Sequence, residues 1–312
     1  MDGCKSRFRR VAVLMGGIAG EREISISSGG NVARALEEAG VPEVARVTLN
    51  AESLAALPAG IEAAYIALHG GWGENGGVQA ALEALSIPYT GPGPAACALA
   101  MDKAAAKSVF AAAGLPTARW AEIDCAEEAP PFPLPVVVKP PCDGSSIGIS
   151  KVSERSQWAE ALAKARAADP RGRALVEEYL PGREWTVGVL DGKALPVVEI
   201  VAEDGWYGWE AKYVSNATRY VFPEDDPSVP RGTLEEAQRL AAAACKAADC
   251  RGVSRVDFRL DSSGAPTILE INTSPGMTSH SLLPKAAARA GMGMSALCAA
   301  ILDGASCGKA LA

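Results

Sequence analysis

Short apolar runs alternate along the first part of the chain with longer stretches in which apolar residues recur at helical spacing. Val11 to Met15 is a continuous apolar run closed by Gly16 and Gly17, and SISSGGNVARALEEAG follows it up to Gly40. The first predicts a buried strand and the second a helix stopped by glycine. AAYIALHGG (Ala63 to Gly71) predicts another strand ending in a glycine-rich loop, GVQAALEALS a helix, and IPYTGPGP a strand that stops in a Pro/Gly turn. Such alternation predicts a parallel sheet with helices on both faces and ligands at the carboxyl ends of its strands.

Beyond Gly91 to Pro94 the pattern changes. A helix is predicted from about Ala95 to Ala113, with Gly114 as its stop and Pro116 just past it. PFPLPVVVKPPCDGSSIGISKV predicts a strand, a Gly/Ser loop and a second strand; an alanine-rich helix runs to about Ala168, and RALVEEYLPGREWTVGVL supplies two strands around a Pro-Gly turn. The last third holds a strand in ALPVVEIV, a polar and aromatic loop from Glu203 to Tyr220, and a helix from Thr233 to Ala248. The strand pair GVSRVDFRLD and PTILEIN and a helical C-terminal segment complete it. We expect three units, 1–93, 94–178 and 179–312, and find no solenoid-type repeat.

With 312 residues, 48% of them hydrophobic, the chain can bury a substantial core. Thirty basic against 37 acidic residues give a net charge of -7, which argues against a broad footprint for nucleic acid or an anionic membrane. An anionic ligand must therefore be held by a few placed lysines and arginines. The start CKSRFRRVAVLMGG has the basic lead of a secretory signal, but its apolar run ends at Met15, and no stretch is long enough to span a bilayer. Cysteines at 4, 97, 125, 142, 245, 250, 298 and 307 form no C-x-x-C pair, and two histidines give no zinc spacing. Reduced thiols in a cytoplasmic protein are the plain expectation.

The candidate chemistry is carried by oxygen and lysine side chains. On a strand, Glu270 and Asn272 share one face while Leu269 and Ile271 share the other; Arg255 and Asp257 share a face of the preceding strand. If the two strands pair through DSSGAP, three hard oxygen donors and one guanidinium converge on one patch, which suits Mg²⁺; a cross-strand Arg-carboxylate ladder on a solvated face is the plain alternative. In VVVKPPCDGSSIGISKV, Lys139 ends a strand and Gly144, Ser145, Ser146 and Gly148 leave N–H groups and hydroxyls free to fold over a phosphate chain, although the P-loop spacing is absent and such loops are common hairpin connections. Lys103, in MDK, has the ordinary reading of a solvated lysine. Glu177, Glu178, Tyr179 and Leu180 stand at a strand end suited to reading a flat heterocycle or to nothing more than a polar turn.

Together these segments resemble the ATP-grasp superfamily and, within it, the D-alanine–D-alanine ligases. The likeness runs in order through VAVLMGGIAGEREISISSG, YIALHGGWGENGGVQAALE, IPYTGPG, ALAMDKAAAK, DGSSIGISKV, EAKY, SRVDF and LEINTSPGMTSHSLLP. It implies an α/β chain with an ATP-grasp fold behind an N-terminal, Rossmann-like parallel-sheet domain. It further implies ATP-dependent joining of two D-alanines through an acyl phosphate for peptidoglycan precursors, in the cytoplasm, by a homodimer.

By the same resemblance, Lys103, Lys139 and Lys212 face the nucleotide phosphates and the loop of Ser145, Ser146 and Gly148 closes over them. Glu177 and Leu180 read adenine, and Glu184 holds the ribose. Asp257, Glu270 and Asn272 bind two Mg²⁺ ions, with Mn²⁺ as a substitute. Glu21 receives the ammonium of the first D-alanine beside His69, Arg255 and the backbone at Gly276 stabilise the oxyanion, and Ser281 with Leu282 takes the second carboxylate. Tyr213 bonds with Ser145 and Glu21. The departures are Cys142 where the family varies and Ser254 where glycine is common. Alternatives are a ligase of the same fold using D-lactate or D-serine, against which the intact EAKY argues, and an ATP-binding regulatory protein without turnover. The glycines after Met15 lack the dinucleotide G-x-G-x-x-G spacing of a dehydrogenase.

Overall fold

The computed structural model describes residues 6–123, 129–142, 144, 147–202 and 218–308. Three sheets organise it. The first has three parallel strands, β1 (Arg10–Gly16), β2 (Glu43–Leu49) and β3 (Ala63–Ile66), in the order β2-β1-β3. Alternation on β1 sends Val11, Val13 and Met15 to a core shared with Val32 and Leu36 of α1 (Arg22–Glu38), and sends Ala12 and Leu14 to a second core with Val78 and Leu82 of α2 (Gly77–Ala84). With both faces covered, β1 reads as an uninterrupted apolar run. The strand expected at IPYT is reduced to bridges from Tyr89 to Ala64 and Ser306.

The single helix expected from Ala95 to Ala113 is two, α3 (Pro94–Met101) and α4 (Lys103–Ala112). Asp102 breaks it: its backbone is extended, and its carboxylate accepts from the N–H groups of Ala104 (3.2 Å) and Ala105 (3.1 Å). A short acidic side chain gives the backbone a capped start in place of a continuing helix. Lys103 thereby becomes the first residue of α4, with its own N–H donated to Pro141 O at 3.0 Å.

The second sheet is antiparallel, β4 (Trp120–Ile123), β5 (Val136–Lys139), β6 (Ser150–Val152) and β7 (Ala174–Glu178), in the order β4-β7-β5-β6. Helix α5 (Trp158–Ala168) covers the face made by Val136, Val138, Val152 and Val176. The period of two therefore turns Val137, Lys139 and Glu177 to the opposite face.

The third sheet, also antiparallel, comprises β8 (Glu184–Leu190), β9 (Lys193–Val201), β10 (Arg219–Val221), β11 (Val253–Leu260) and β12 (Pro266–Asn272), in the order β10-β9-β8-β11-β12. Helix α6 (Arg231–Ala247) packs Leu234 and Leu240 on Trp185, Val187, Val256, Phe258 and Ile268. Helices α7 (Leu282–Arg289) and α8 (Met294–Asp303) finish the chain, and Leu297, Cys298, Ile301 and Leu302 of α8 enter the core beneath α1. The second and third sheets are stapled at Thr117, which bridges to Ile268: Ile268 N–H donates to Pro116 O at 2.9 Å and the Thr117 hydroxyl to Ile268 O at 2.9 Å.

Candidate active site

Side chains from the second and third sheets, and from the segments that follow strands of the first, line one cavity of about 800 Å³. The hairpin of β11 and β12 supplies its floor. Arg255 lies opposite Asn272 and Asp257 opposite Glu270, so the four side chains expected to converge do so. Asn272 Nδ2 donates to Asp257 Oδ2 at 2.9 Å, and the Arg255 guanidinium bonds Asp257 and, at 2.8 Å, the Thr186 hydroxyl of β8. Lys103 Nζ reaches Glu270 Oε2 at 3.3 Å from the start of α4.

One detail of this hairpin departs from simple alternation. A bulge between Asp257 and Phe258 sets Phe258 opposite Ile268, leaving Leu269 as the extra residue. Leu269, expected beside Ile271 in the core, lines the cavity instead, and Ile268 takes the core position with Ile271. A bulge re-aims one side chain without disturbing the next pair.

The second sheet forms the opposing wall. Lys139 Nζ lies 2.8 Å from Glu177 Oε2, and both side chains are nearly buried. Burial pushes the Glu177 carboxyl up, but the ammonium groups of Lys107 and Lys139 outweigh it and hold Glu177 below the usual glutamate range. Glu178, Tyr179, Leu180 and Glu184 continue this wall. Lys151 lies over the Tyr179 ring, 3.9 Å from its centroid, and Arg259 lies 3.7 Å from Glu184 Oε2.

The first sheet contributes the segments that follow the carboxyl ends of β1 and β3. Glu21 stands at the start of α1; a Cβ on Gly70 would lie 2.8 Å from its Oε2, and Gly70 has φ +67°, so this close approach requires glycine. His69 Nδ1 donates to Ser274 O at 3.1 Å and its Nε2 accepts from the Ser28 hydroxyl at 3.0 Å, since a carbonyl can only accept. Ser28 Oγ also accepts Met277 N–H at 3.2 Å, which ties the 274–281 loop to α1. In that loop Ser281 Oγ accepts Thr278 N–H at 2.9 Å, and a Cβ on Gly276 would lie 2.8 Å from it.

Of the residues expected to form the site, Glu21, His69, Lys103, Lys139, Glu177, Leu180 and Glu184 line the cavity, as do Arg255, Asp257, Glu270, Asn272, Gly276, Ser281 and Leu282. Gly148 is not among the lining residues: it turns with φ +73°, and a Cβ there would lie 2.8 Å from Ala168 Cβ. Ser145, Ser146, Lys212 and Tyr213 fall outside the described residues. Sequence reasoning missed Lys107, buried beneath Glu177. Its signal was present, because Lys103 and Lys107 fall on the same stripe of α4 as Ala106 and Phe110. It also missed Glu74 and Arg259 as lining residues.

A model of the D-ala D-ala ligase C-terminus matches residues 108–303. The D-alanine–D-alanine ligase of Bordetella avium is 46% identical over 310 residues, covering 96% of this chain and 96% of the relative. The chain belongs to the D-alanine–D-alanine ligase family. That of Acidiphilium cryptum is also 46% identical, over 306 residues, covering 96% of this chain and 99% of the relative. Among solved structures, the D-alanine–D-alanine ligase of Bacillus anthracis complexed with ATP superposes with a TM-score of 0.82 at 31% identity, covering 95% of this chain and 97% of that one. The fold is therefore the ATP-grasp fold of this family, with its parallel-sheet N-terminal part.

The residues fit magnesium by their chemistry. No group of three His, Cys, Asp or Glu able to hold a metal occurs among the described residues. Two carboxylates and an amide oxygen nevertheless make a hard-oxygen donor set of the incomplete kind Mg²⁺ accepts when phosphate oxygens and waters fill the remaining positions. The charge balance agrees: among the described lining residues carboxylates outnumber lysines and arginines, so a polyphosphate needs divalent cations to settle there.

Proposed function

We propose that the protein joins two D-alanines into D-alanyl-D-alanine in the cytoplasm, with ATP as co-substrate, for cell-wall precursors. The observation that carries this reading is the meeting, in one cavity, of the Arg255, Asp257, Glu270 and Asn272 patch with Lys103 and Lys139 on one side and Glu21, His69 and Ser281 on the other.

The chemistry requires such an arrangement. A carboxylate resists attack by an amine because its leaving group is oxide; transfer of the γ-phosphoryl group of ATP to the first D-alanine gives an acyl phosphate and ADP. The amine of the second then attacks the carbonyl carbon, the C–O bond to phosphate breaks, and dipeptide, phosphate and a proton leave. Magnesium held by Asp257, Glu270 and Asn272 offsets phosphate charge when bound. Lys103 and Lys139 meet the phosphates, aided by Ser145, Ser146 and Lys212, with Gly148 shaping the loop. Glu177 and Leu180 border the adenine and Glu184 the ribose.

Glu21 takes the ammonium of the first D-alanine, with His69 fixing the loop against which it lies and Tyr213 and Ser145 completing the set. Arg255 and the Gly276 N–H stabilise the oxyanion; Arg255 is already held by Asp257 and Thr186, so its guanidinium needs little reorganisation during reaction. Ser281 and Leu282 receive the second carboxylate. On family grounds a homodimer is proposed, to be checked by sedimentation.

The test is ligation with ATP and D-alanine as sole amino acid, with the product identified by mass. Dipeptide and ADP are expected in equal amounts, and Glu270→Gln should make both about a thousandfold more slowly. ATP turnover only with D-lactate or D-serine present would move the assignment to a relative of different specificity; absence of any D-alanine-dependent phosphate release would overturn it.

A further inference from the structure

Lys107 sits one helical turn beyond Lys103 on α4, yet its side chain is fully buried and lies outside the residues that line the cavity. Its ammonium is 2.9 Å from Glu177 Oε1, off the axis of a good hydrogen bond, so that contact is an ion pair. It donates to the Thr117 hydroxyl at 2.7 Å and to Ala118 O at 3.5 Å. Lys139 holds the other oxygen of the same carboxylate, Glu177 Oε2, at 2.8 Å. One buried anion is thus shared by two cations, of which only Lys139 faces the cavity.

We infer that Lys107 is a positioning residue for the nucleotide site: it carries part of the Glu177 charge, so that Lys139 keeps N–H donors for the phosphates of ATP. This rests on the nucleotide reading of the cavity given above. An ammonium has three donors, and a buried carboxylate with no second partner competes strongly for them, because charges attract far more in the interior than in water. With Lys107 in place the carboxylate is already half answered. Burial lowers the Lys107 pKa, Glu177 offsets part of that, and Lys139 adds to the lowering, which agrees with two ammonium groups crowding one carboxylate.

A second connection follows from the same ammonium. Thr117, which accepts from Lys107, donates in turn to Ile268 O on β12, the strand that carries Glu270 and Asn272. Lys107 therefore braces the lysine wall and the carboxylate floor from behind, and touches no ligand itself.

The experiment compares Lys107→Met, Lys107→Gln, Glu177→Gln and the double variant Lys107→Met with Glu177→Gln in the full chain. KM for ATP, KM for D-alanine and kcat are measured, together with the rise in Tm that ATP and magnesium produce. Both Lys107 single variants are expected to raise KM for ATP about tenfold or more, the scale expected when a buried ion pair loses one member. KM for D-alanine should change by less than about twofold, well under the tenfold that 1.4 kcal/mol represents. In a Glu177→Gln background, where any direct loss at the adenine is common to both proteins, adding Lys107→Met should affect KM for ATP and the ATP-induced Tm rise far less than it does in the unaltered protein. A purely structural role instead lowers Tm and kcat in the Lys107 variants with KM for ATP unmoved, or makes Lys107→Met equally costly for ATP with and without the Glu177 carboxylate; either result overturns the inference. Lys107→Gln, which keeps a donor toward Thr117, decides the matter if Lys107→Met does not fold. If the unaltered protein itself fails to ligate D-alanine with ATP, the reading of the cavity has failed rather than the role of Lys107.

Discussion

The carboxylate floor and the lysine wall of the cavity are built in opposite ways. Arg255, Asp257, Glu270 and Asn272 come from one hairpin, and two strand registers place them. Lys103, Lys107, Lys139 and Glu177 come from a helix and two strands, brought together by tertiary packing and held by buried ion pairs. A hairpin sets its geometry locally, so loss of one of its side chains should leave the rest in place. A buried ionic cluster is set collectively, so loss of one member should redistribute the others.

The largest test of this contrast is on the floor. Glu270→Gln should reduce kcat by about a thousandfold, at the upper end for loss of one preorganised electrostatic group, with Tm little changed; a fold-wide loss of stability would deny the local character of the hairpin. Arg255→Met should follow, with a fall in kcat of about a hundredfold and little change in KM for ATP, measured by coupled ADP release. On the rim of the site proposed for the second substrate, Gly276→Ala would bring a methyl to 2.8 Å from Ser281 Oγ. Because Ser281 must then turn away from Thr278, KM for the second D-alanine should rise about tenfold, equivalent to one lost hydrogen bond of roughly 1.4 kcal/mol.

The smallest expected effect lies in the wall and depends on pH. Glu177 has a folded pKa below its unfolded value, so its contribution to stability is complete above the ordinary glutamate pKa of about 4.3 and is lost as pH falls through the lower folded value. The Tm advantage of the unaltered protein over Glu177→Gln should be constant above about pH 5 and shrink in more acidic solution. An advantage that grows on acidification would contradict the ion-pair account.

The same contrast explains what could be read from the residues. The floor was legible because a period of two and one turn suffice to bring Asp257 against Glu270. The bulge at Leu269 was not, since no glycine or other local signal marks it. The wall was only partly legible: Lys139 and Glu177 stood at strand ends, but Lys107 lay in an alanine-rich helix where a lysine ordinarily means solvent. Asp102 was an unheeded signal, a short acidic residue in a run of alanines that splits the expected helix and so aims Lys103. The parallel sheet was plain from its alternation, whereas the pairing of Tyr89 with Ser306 depends on residues more than two hundred positions apart.

That long return has a consequence for synthesis. The apolar surface of α1 and β1 receives Leu297, Cys298, Ile301 and Leu302 from α8, which is made long after them. During translation α1 and β1 must wait with this patch uncovered until α8 emerges from the ribosome. A chain cut before α8 should therefore be injured first around α1 and β1, and remain a sticky nascent chain that depends on chaperones.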